Sequence, residues 1–588
     1  MQATIKRHDR QRSEKLDFIV PGFTNYNPSD DPSSIGDTIV AAGLNFMYDS
    51  SGSLQSAKGY VRVNTTNLPA PTDNGWLFET SSIRQLIVAT TAGSIYKYDN
   101  AGAWTLIGGP YTSAQRWDGC MLNGKLFLVN GVDGILQWDG TAMTLLAVTG
   151  YSAIAPQYIT QRKNRLYLTE KNSGLVWFSN PLDPSTIQPN AYQNFEPNNG
   201  HIINGLGSTG DSVQAFKDNR VINLIGEPLV SGNIAQLGNL QMRASNSEVG
   251  AIAYKTIVTI AKGVQVFAAT SGIYVHQNYQ THNIAPELDQ LFRSDMNPNF
   301  RHLMWATYSA EEKKLLVGYC SNVSTTPDKV IMLDLSQNAI KYALWDDYPC
   351  SFAIPYKFTN TPITLFGSNI YGMVMQGFIG YGHLAGDNGS ATSGSTTTIV
   401  DTTKNWTTNQ FVNSRMQIVS ATGYGQQAYV TSNTATTLTI SPALATAAAT
   451  GSVYTIGGYH SFADTKIFNF GDPALTKKYK FLNLFLDTAA GNYPINVGVA
   501  YGKLALSYTT TASLYATTWF YESDNSLNGW VWGSASLAFG STVSLYDQVN
   551  LGGNDRFIQV RIGTFKNNQP WRCSQYSFTF REKKARPN

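Results

Sequence analysis

The sequence is short of charge. Asp, Glu, Lys and Arg make up 14% of the 588 residues, against roughly 25% in an ordinary soluble domain. The 42 basic and 39 acidic side chains leave a net charge of only +3, too little to argue for nucleic acid or an anionic membrane as a partner. Cysteine is scarce too. Cys120, Cys320, Cys350 and Cys573 are scattered without a CxxC pair, which excludes a disulfide framework or a zinc site and leaves buried free thiols as the expectation. Such a chain is expected to mature in a reducing cytoplasm. No apolar run approaches a membrane span. The opening "MQATIKRHDRQRSEKLDFIV" lacks the apolar core of a secretory signal.

Catalytic signatures are missing as well. There is no GxSxG, no GxxxxGK[ST] and no HExxH. The seven histidines are dispersed. His276 and His282 sit six residues apart and make a weak metal pair, while His201 and His302 read as structural. Glu311-Glu312 and Asp346-Asp347 are adjacent pairs, which on a strand point to opposite faces and do not make the two facing acids of a glycosidase. The expectation is no catalytic, cofactor-binding or metal site, no cofactor, and no enzyme activity.

What the chain has in quantity is β-forming and turn-forming residues. It holds 32 Tyr, 51 Gly and 12% aromatics. A hairpin recurs. "RQLIVATTAGSIYKYD" (84–99), "GKLFLVNGVDGILQWD" (124–139) and "NRLYLTEKNSGLVWFS" (164–179) align on Gly93, Gly134 and Gly174, in steps of 41 and 40 residues. Leu86, Leu126 and Leu166 follow in steps of 40 and 40. "GVQVFAATSGIYVHQ" (263–277) is a fourth copy, with Val266 in phase, and "DSVQAFKDNRVINLIGEP" (211–228) fills the slot between. "KKLLVGYC" (313–320) pairs with "DKVIMLDL" (328–335), and "TPITLFGSNIYGMVM" (361–375) is the last. Period-two alternation asks for one buried face, and turn glycines supply positive φ. Units of about 40 residues with four strands each are the signature of β-propeller blades.

The predicted architecture is therefore all-β. It consists of an N-terminal arm and first strands (1–59), a β-propeller of six or seven blades (60–382), a small inserted Thr/Ser-rich β module (386–457) and a C-terminal β-sandwich (459–588). In the module Trp406, Phe411, Ile418, Val430, Leu438 and Ile440 supply a core. In the sandwich the apolar faces are Leu482/Leu484/Leu486, Ile495/Val497/Val499, Ile558/Val560/Ile562 and Tyr576/Phe578/Phe580. Basic residues gather at both ends: Lys6, Arg7, Arg10 and Arg12, then Arg581, Lys583, Lys584 and Arg586. They read either as solvated termini or as arms that dock on a partner.

The order of parts resembles the tail proteins of short-tailed bacteriophages. The opening "VPGFTNYNPSDDPSSIGDTIVAAGLNFMYDSSGSLQSAKGYVRV", with Asn45, Gly52, Leu54, Gly59 and Tyr60, and the phrase "RKNRLYLTEKNSGLVWFSNPLDPST" carry the likeness. It is closest to the tail nozzle or hub proteins of podoviruses related to phage P22. That resemblance implies a homo-oligomeric ring, usually a hexamer, in the virion tail beneath the portal and adaptor ring, assembled in the host cytoplasm. The ring would extend the conduit for viral DNA without reading its sequence, and would seat spike, fibre or needle proteins. It implies no catalytic residues. The alternative is a carbohydrate-binding or glycan-degrading propeller adhesin, with the 12 Trp and 32 Tyr stacking on sugars.

Overall fold

The computed structural model describes residues 4–7, 15–49, 52–63, 66–98, 103–150, 154–196, 200–231, 234–236, 240–336, 339–357, 362–487, 494–501, 509–515, 544–551, 553–564 and 566–582. The fold is all-β. It divides into two compact units, one made of residues 1–61, 341–346 and 378–588 and the other of 62–340 and 347–377.

Among the described residues, the second unit holds seven principal antiparallel sheets, numbered here in chain order. Sheet 1 runs Thr72–Glu79, Arg84–Thr90, Ile95–Tyr98 and Thr105–Gly108. Sheet 2 runs Asp118–Leu122, Lys125–Val129, Leu136–Trp138 and Met143–Leu145. Sheet 3 has Pro156–Arg162, Arg165–Glu170, Leu175–Phe178 and Tyr192–Asn194, and sheet 4 has Ile203–Ser208, Ser212–Lys217, Val221–Ile225 and Gln241–Ala244. Sheet 5 has Val258–Ala261, Val264–Ala269, Gly272–Gln277 and Gln280–Asn283. In sheets 6 and 7 three consecutive strands belong to this unit: Trp305–Ser309, Lys314–Tyr319 and Lys329–Asp334, then Cys350–Lys357, Pro362–Ser368 and Val374–Gly377. The first strand of each sheet packs beside the first strand of the next, and that of sheet 7 packs beside that of sheet 1.

Leu86, Leu126, Leu166 and Val266 each lie on the second strand of their sheet, one strand out from this ring of first strands, and each is at most 1% exposed. The sequence pattern asked for one buried face, but the second strands are buried on both. Ile87 and Ala89 pack with Leu126, Leu128 and Trp138 of sheet 2, whereas Leu86 and Val88 pack with Phe352, Leu365 and Val374 of sheet 7. Sheets stacked face to face leave no solvated side, which is why these strands read as unbroken apolar runs such as "QLIVA" and "KLFLV". Each such side chain contributes roughly 1.5–3 kcal/mol when fully buried.

Two of the hairpin glycines behave as expected: Gly93 (φ +81°) and Gly134 (φ +80°) adopt the left-handed region. At the third tile the left-handed residue is Asn172 (φ +59°) rather than Gly174. Asn tolerates that region because its short polar side chain bonds locally.

In the first unit, the chain's two ends share sheets. Lys15–Val20 pairs antiparallel with Arg572–Glu582, which pairs in turn with Lys477–Asp487. A five-stranded sheet has the order Ala42–Leu44, Ser461–Asp464, Ile558–Thr564, Pro494–Tyr501 and Thr509–Tyr515. The inward alternation reads as predicted: Leu482, Leu484 and Leu486, Ile558, Val560 and Ile562, and Tyr576, Phe578 and Phe580 are all buried. Ile495 lies among the residues whose side chains are not described. Phe470 anchors the aromatic cluster, its ring centroid 4.3 Å from Phe580 and 5.1 Å from Phe18.

Residues 387–456 form a separate seven-stranded sheet. Its core contains all six residues expected of it, together with Met416, Tyr454 and Ile456. Of the basic ends, Lys6 and Arg7 fall in the strand Thr4–Arg7, and Arg581 sits opposite Lys15. Arg10, Arg12, Lys583, Lys584 and Arg586 lie outside the described residues.

Candidate functional site

The first strands of the second unit carry a repeated Asn/Asp-Gly pair: Asn74-Gly75, Asp118-Gly119 and Asn204-Gly205. In the first two, the side-chain Oδ1 accepts the next residue's N–H, at 3.0 Å in Asn74 and 2.8 Å in Asp118. The same side chains reach forward to the following sheet. Asn74 Nδ2 donates to the Trp117 carbonyl (2.9 Å), Asp118 Oδ2 accepts from the Ile159 N–H (2.9 Å), and Asn204 Nδ2 donates to the Ala251 carbonyl (3.0 Å). Glycine is needed beside them because a Cβ at Gly75 would lie 2.4 Å from the Phe352 ring, and one at Gly205 2.5 Å from Ile257.

Charged groups collect at the leading ends of these strands. Asp73 accepts from the Trp117 N–H (2.8 Å) and from Lys255 Nζ (3.0 Å). Lys255 also donates to the Asp73 carbonyl at 2.6 Å. Burial pulls the Lys255 ammonium down to about 8, and Asp73 opposes that pull. Arg116 donates from Nη1 to the His302 carbonyl at 2.6 Å and lies 5.3 Å over the Tyr254 ring. Its buried Nε–H has no hydrogen-bond acceptor among the described residues, and Asp73 Oδ1 stands 3.9 Å away. Tyr254 donates to the Trp117 carbonyl at 2.7 Å, and Tyr158 packs 5.1 Å from it, centroid to centroid. Part of the Asp118 surface stays open, yet its dense surroundings push the carboxyl up to about 7 against the two backbone N–H bonds it accepts.

Beside this cluster is a cavity of about 310 Å³ lined by Arg116, Gln157, Tyr158, Lys171, Asn204, Tyr254 and His302, among others. A second cavity, about 260 Å³, lies among Leu77, Tyr308, Pro355, Tyr356 and Ile363, with the ion pairs Arg84–Glu79 and Lys357–Glu311 around it.

The residues weighed from sequence are dispersed. His276 is buried, with Nδ1 at 3.1 Å from Thr281 Oγ1 and Nε2 at 3.1 Å from Asn223 Oδ1. His282 lies on the neighbouring strand, opposite Val275 rather than His276. His201 pairs with Asp218 at 2.7 Å. Glu311 pairs with Lys357, and Asp346 accepts from the Asn45 amide while its own N–H donates to Asn45 Oδ1 at 2.9 Å. All four cysteines are free thiols, and Cys320, Cys350 and Cys573 are buried. Among the described residues no three His, Cys, Asp or Glu side chains are grouped to hold a metal, and no helix is long and apolar enough to cross a membrane. The central cluster escaped the sequence reading. The signal that could have found it is the recurrence of Asn/Asp-Gly at 74–75, 118–119 and 204–205, each within the first four residues of a first strand.

No family model matches the chain, and no curated protein matches it. Among solved structures it is similar to the computationally designed Ika8 protein, with a TM-score of 0.35 and 11% identity over 55% of this chain and 100% of that one. It is also similar to Raptor of Chaetomium thermophilum, with a TM-score of 0.37 and 10% identity over 54% of this chain and 29% of that one. Likenesses this distant carry no argument about function.

Proposed function

We propose that the chain is a structural protein of a short-tailed bacteriophage virion, the subunit of a ring-shaped tail nozzle or hub. In this reading the seven sheets of the second unit are the blades of a seven-bladed β-propeller. The observation that carries it is the cyclic packing of first strands, sheet 7 against sheet 1, inserted into a unit whose sheets are built from both ends of the chain. Low charge, with abundant Tyr and Trp, suits extensive subunit interfaces.

The ring would be a homo-oligomer, most simply a hexamer, with head-to-tail contacts and closed rotational symmetry. It would extend the DNA conduit below portal and adaptor and seat spikes, fibres or a needle, without catalysis. Native mass spectrometry of the purified full chain tests this. A closed oligomer of fixed stoichiometry is expected, and a monomer at every concentration would overturn the nozzle reading.

A further inference from the structure

The cavity at the leading ends of the first strands has a chemical bias that a packing defect does not require. None of its eleven lining residues is acidic, while Arg116 and Lys171 are both cationic. Behind Arg116, the Asp73 carboxylate is shared among Lys255 at 3.0 Å, Arg116 itself at 3.9 Å and the Trp117 N–H. Arg116 thus meets that carboxylate only at long range, while Lys255 holds it closely. Its guanidinium is held in place by the His302 carbonyl and the Tyr254 ring. A guanidinium fixed in this way presents a planar set of N–H donors that suits the two oxygens of a carboxylate. Next to it, Tyr158 and Tyr254 offer ring surface. Gln157 and Asn204 are each fixed by one hydrogen bond their amide N–H donates, at 3.0 Å to the Arg116 carbonyl and 3.0 Å to the Ala251 carbonyl, and keep further hydrogen-bonding capacity for hydroxyls. About 310 Å³ is at the small end of ligand sites and suits one sugar ring rather than a long polymer segment.

We propose that this cavity is a binding site for an acidic sugar, a pyranose bearing a carboxylate. Arg116 and Lys171 receive the carboxylate, Tyr158 and Tyr254 flank the ring, and Gln157 and Asn204 address its hydroxyls. Single-stranded nucleic acid fits less well, since it asks for a basic groove that tracks many phosphates with bases stacked in series. The site belongs to a single chain and does not depend on ring assembly or on the nozzle reading.

The test is calorimetric or saturation-transfer titration of the full chain with glucuronate, glucose, inorganic phosphate and a short oligothymidylate. Saturable glucuronate binding is expected, with glucose at least about tenfold weaker because it lacks the charged hydrogen-bond partner. Arg116→Lys should weaken glucuronate binding by about tenfold and Lys171→Ala by a few-fold, whereas the exposed Lys262→Ala, outside the cavity, should bind as the parent does. Absence of saturable glucuronate binding overturns the proposal. So does equal affinity for glucose, tighter binding of phosphate, competition by oligothymidylate, or full affinity in both cavity variants. Should Arg116→Lys lower the melting temperature substantially, the solvent-exposed Lys171→Ala decides alone.

Discussion

The module at 387–456 and the seven-sheet unit are both stacks of short strands, but they hide their polar groups differently. The module closes around one core, and its buried carboxylate is met by a neutral partner: Tyr454 OH donates to Asp401 Oδ2 at 2.7 Å. In the seven-sheet unit a carboxylate, Asp73, faces a buried ammonium 182 residues along the chain and a guanidinium from the next sheet's leading end. The first arrangement spans 53 residues but stays within one seven-stranded sheet. The second exists only because separate sheets bring their leading ends together.

The largest expected effect lies in that difference. Asp73→Asn strands the Lys255 ammonium, which is only 4% exposed, and should cost about 3–5 kcal/mol, measured by denaturant unfolding of the full chain. Asp401→Asn in the module removes a bond between a carboxylate and a neutral phenol and should cost about 1–3 kcal/mol. Equal losses would break the comparison.

Acid should also act on the seven-sheet unit. Burial lowers the His276 imidazole to about 4 from its ordinary 6.5. The unfolded chain therefore binds the proton first, so His276 contributes stability at pH above 6.5 that is lost as the pH falls toward 4, about 3 kcal/mol in all. Asp118 has the opposite sign. Its folded value near 7 lies above its ordinary 3.8, so its contribution is present at low pH and lost as the pH rises from about 4 through 7. A His276→Gln variant should lose the acid-side fall of melting temperature between pH 6.5 and 4. An unchanged acid limb would remove His276 from this account.

Replacing residues 387–456 by a short Gly/Ser bridge should leave a soluble, folded protein. Asp387 and Ile456 are direct partners on neighbouring antiparallel strands, so the cut ends stand only about 5 Å apart. Circular dichroism and solubility of the deletion check it, and insoluble expression with both flanks intact argues against a self-contained module. The smallest effect separates two turn glycines. Gly93→Ala should cost about 1 kcal/mol or more, because φ is +81° and its Cβ would meet the Tyr111 carbonyl, whereas Gly174→Ala, with no contact closer than 3.6 Å, should be within about 0.5 kcal/mol of neutral.

What was legible in the sequence follows the same division. Trp406, Phe411, Ile418, Val430, Leu438 and Ile440 could be named as one core because their spacing is local. The 40-residue phase of Leu86, Leu126 and Leu166 placed them on matching strands because each tile repeats the same hairpin. The burial of both faces was not foreseen, since period-two reasoning assumes a solvated side. The grouping of Asp73, Arg116, Asp118 and Lys255 was invisible because Asp73, the Arg116-Trp117-Asp118 stretch and Lys255 come from three separate segments, and their meeting depends on how the sheets pack together.

The nozzle reading is tested most directly by a map of the assembled particle, with the residues facing its lumen identified. In that reading DNA passes without being gripped, since each Lys or Arg contact to phosphate would add salt-dependent affinity. With 42 basic against 39 acidic residues, the account predicts a closed ring whose lumen is neutral or acidic overall. A dense belt of unpaired Lys and Arg facing the lumen, or a chain that never forms a ring, would contradict it.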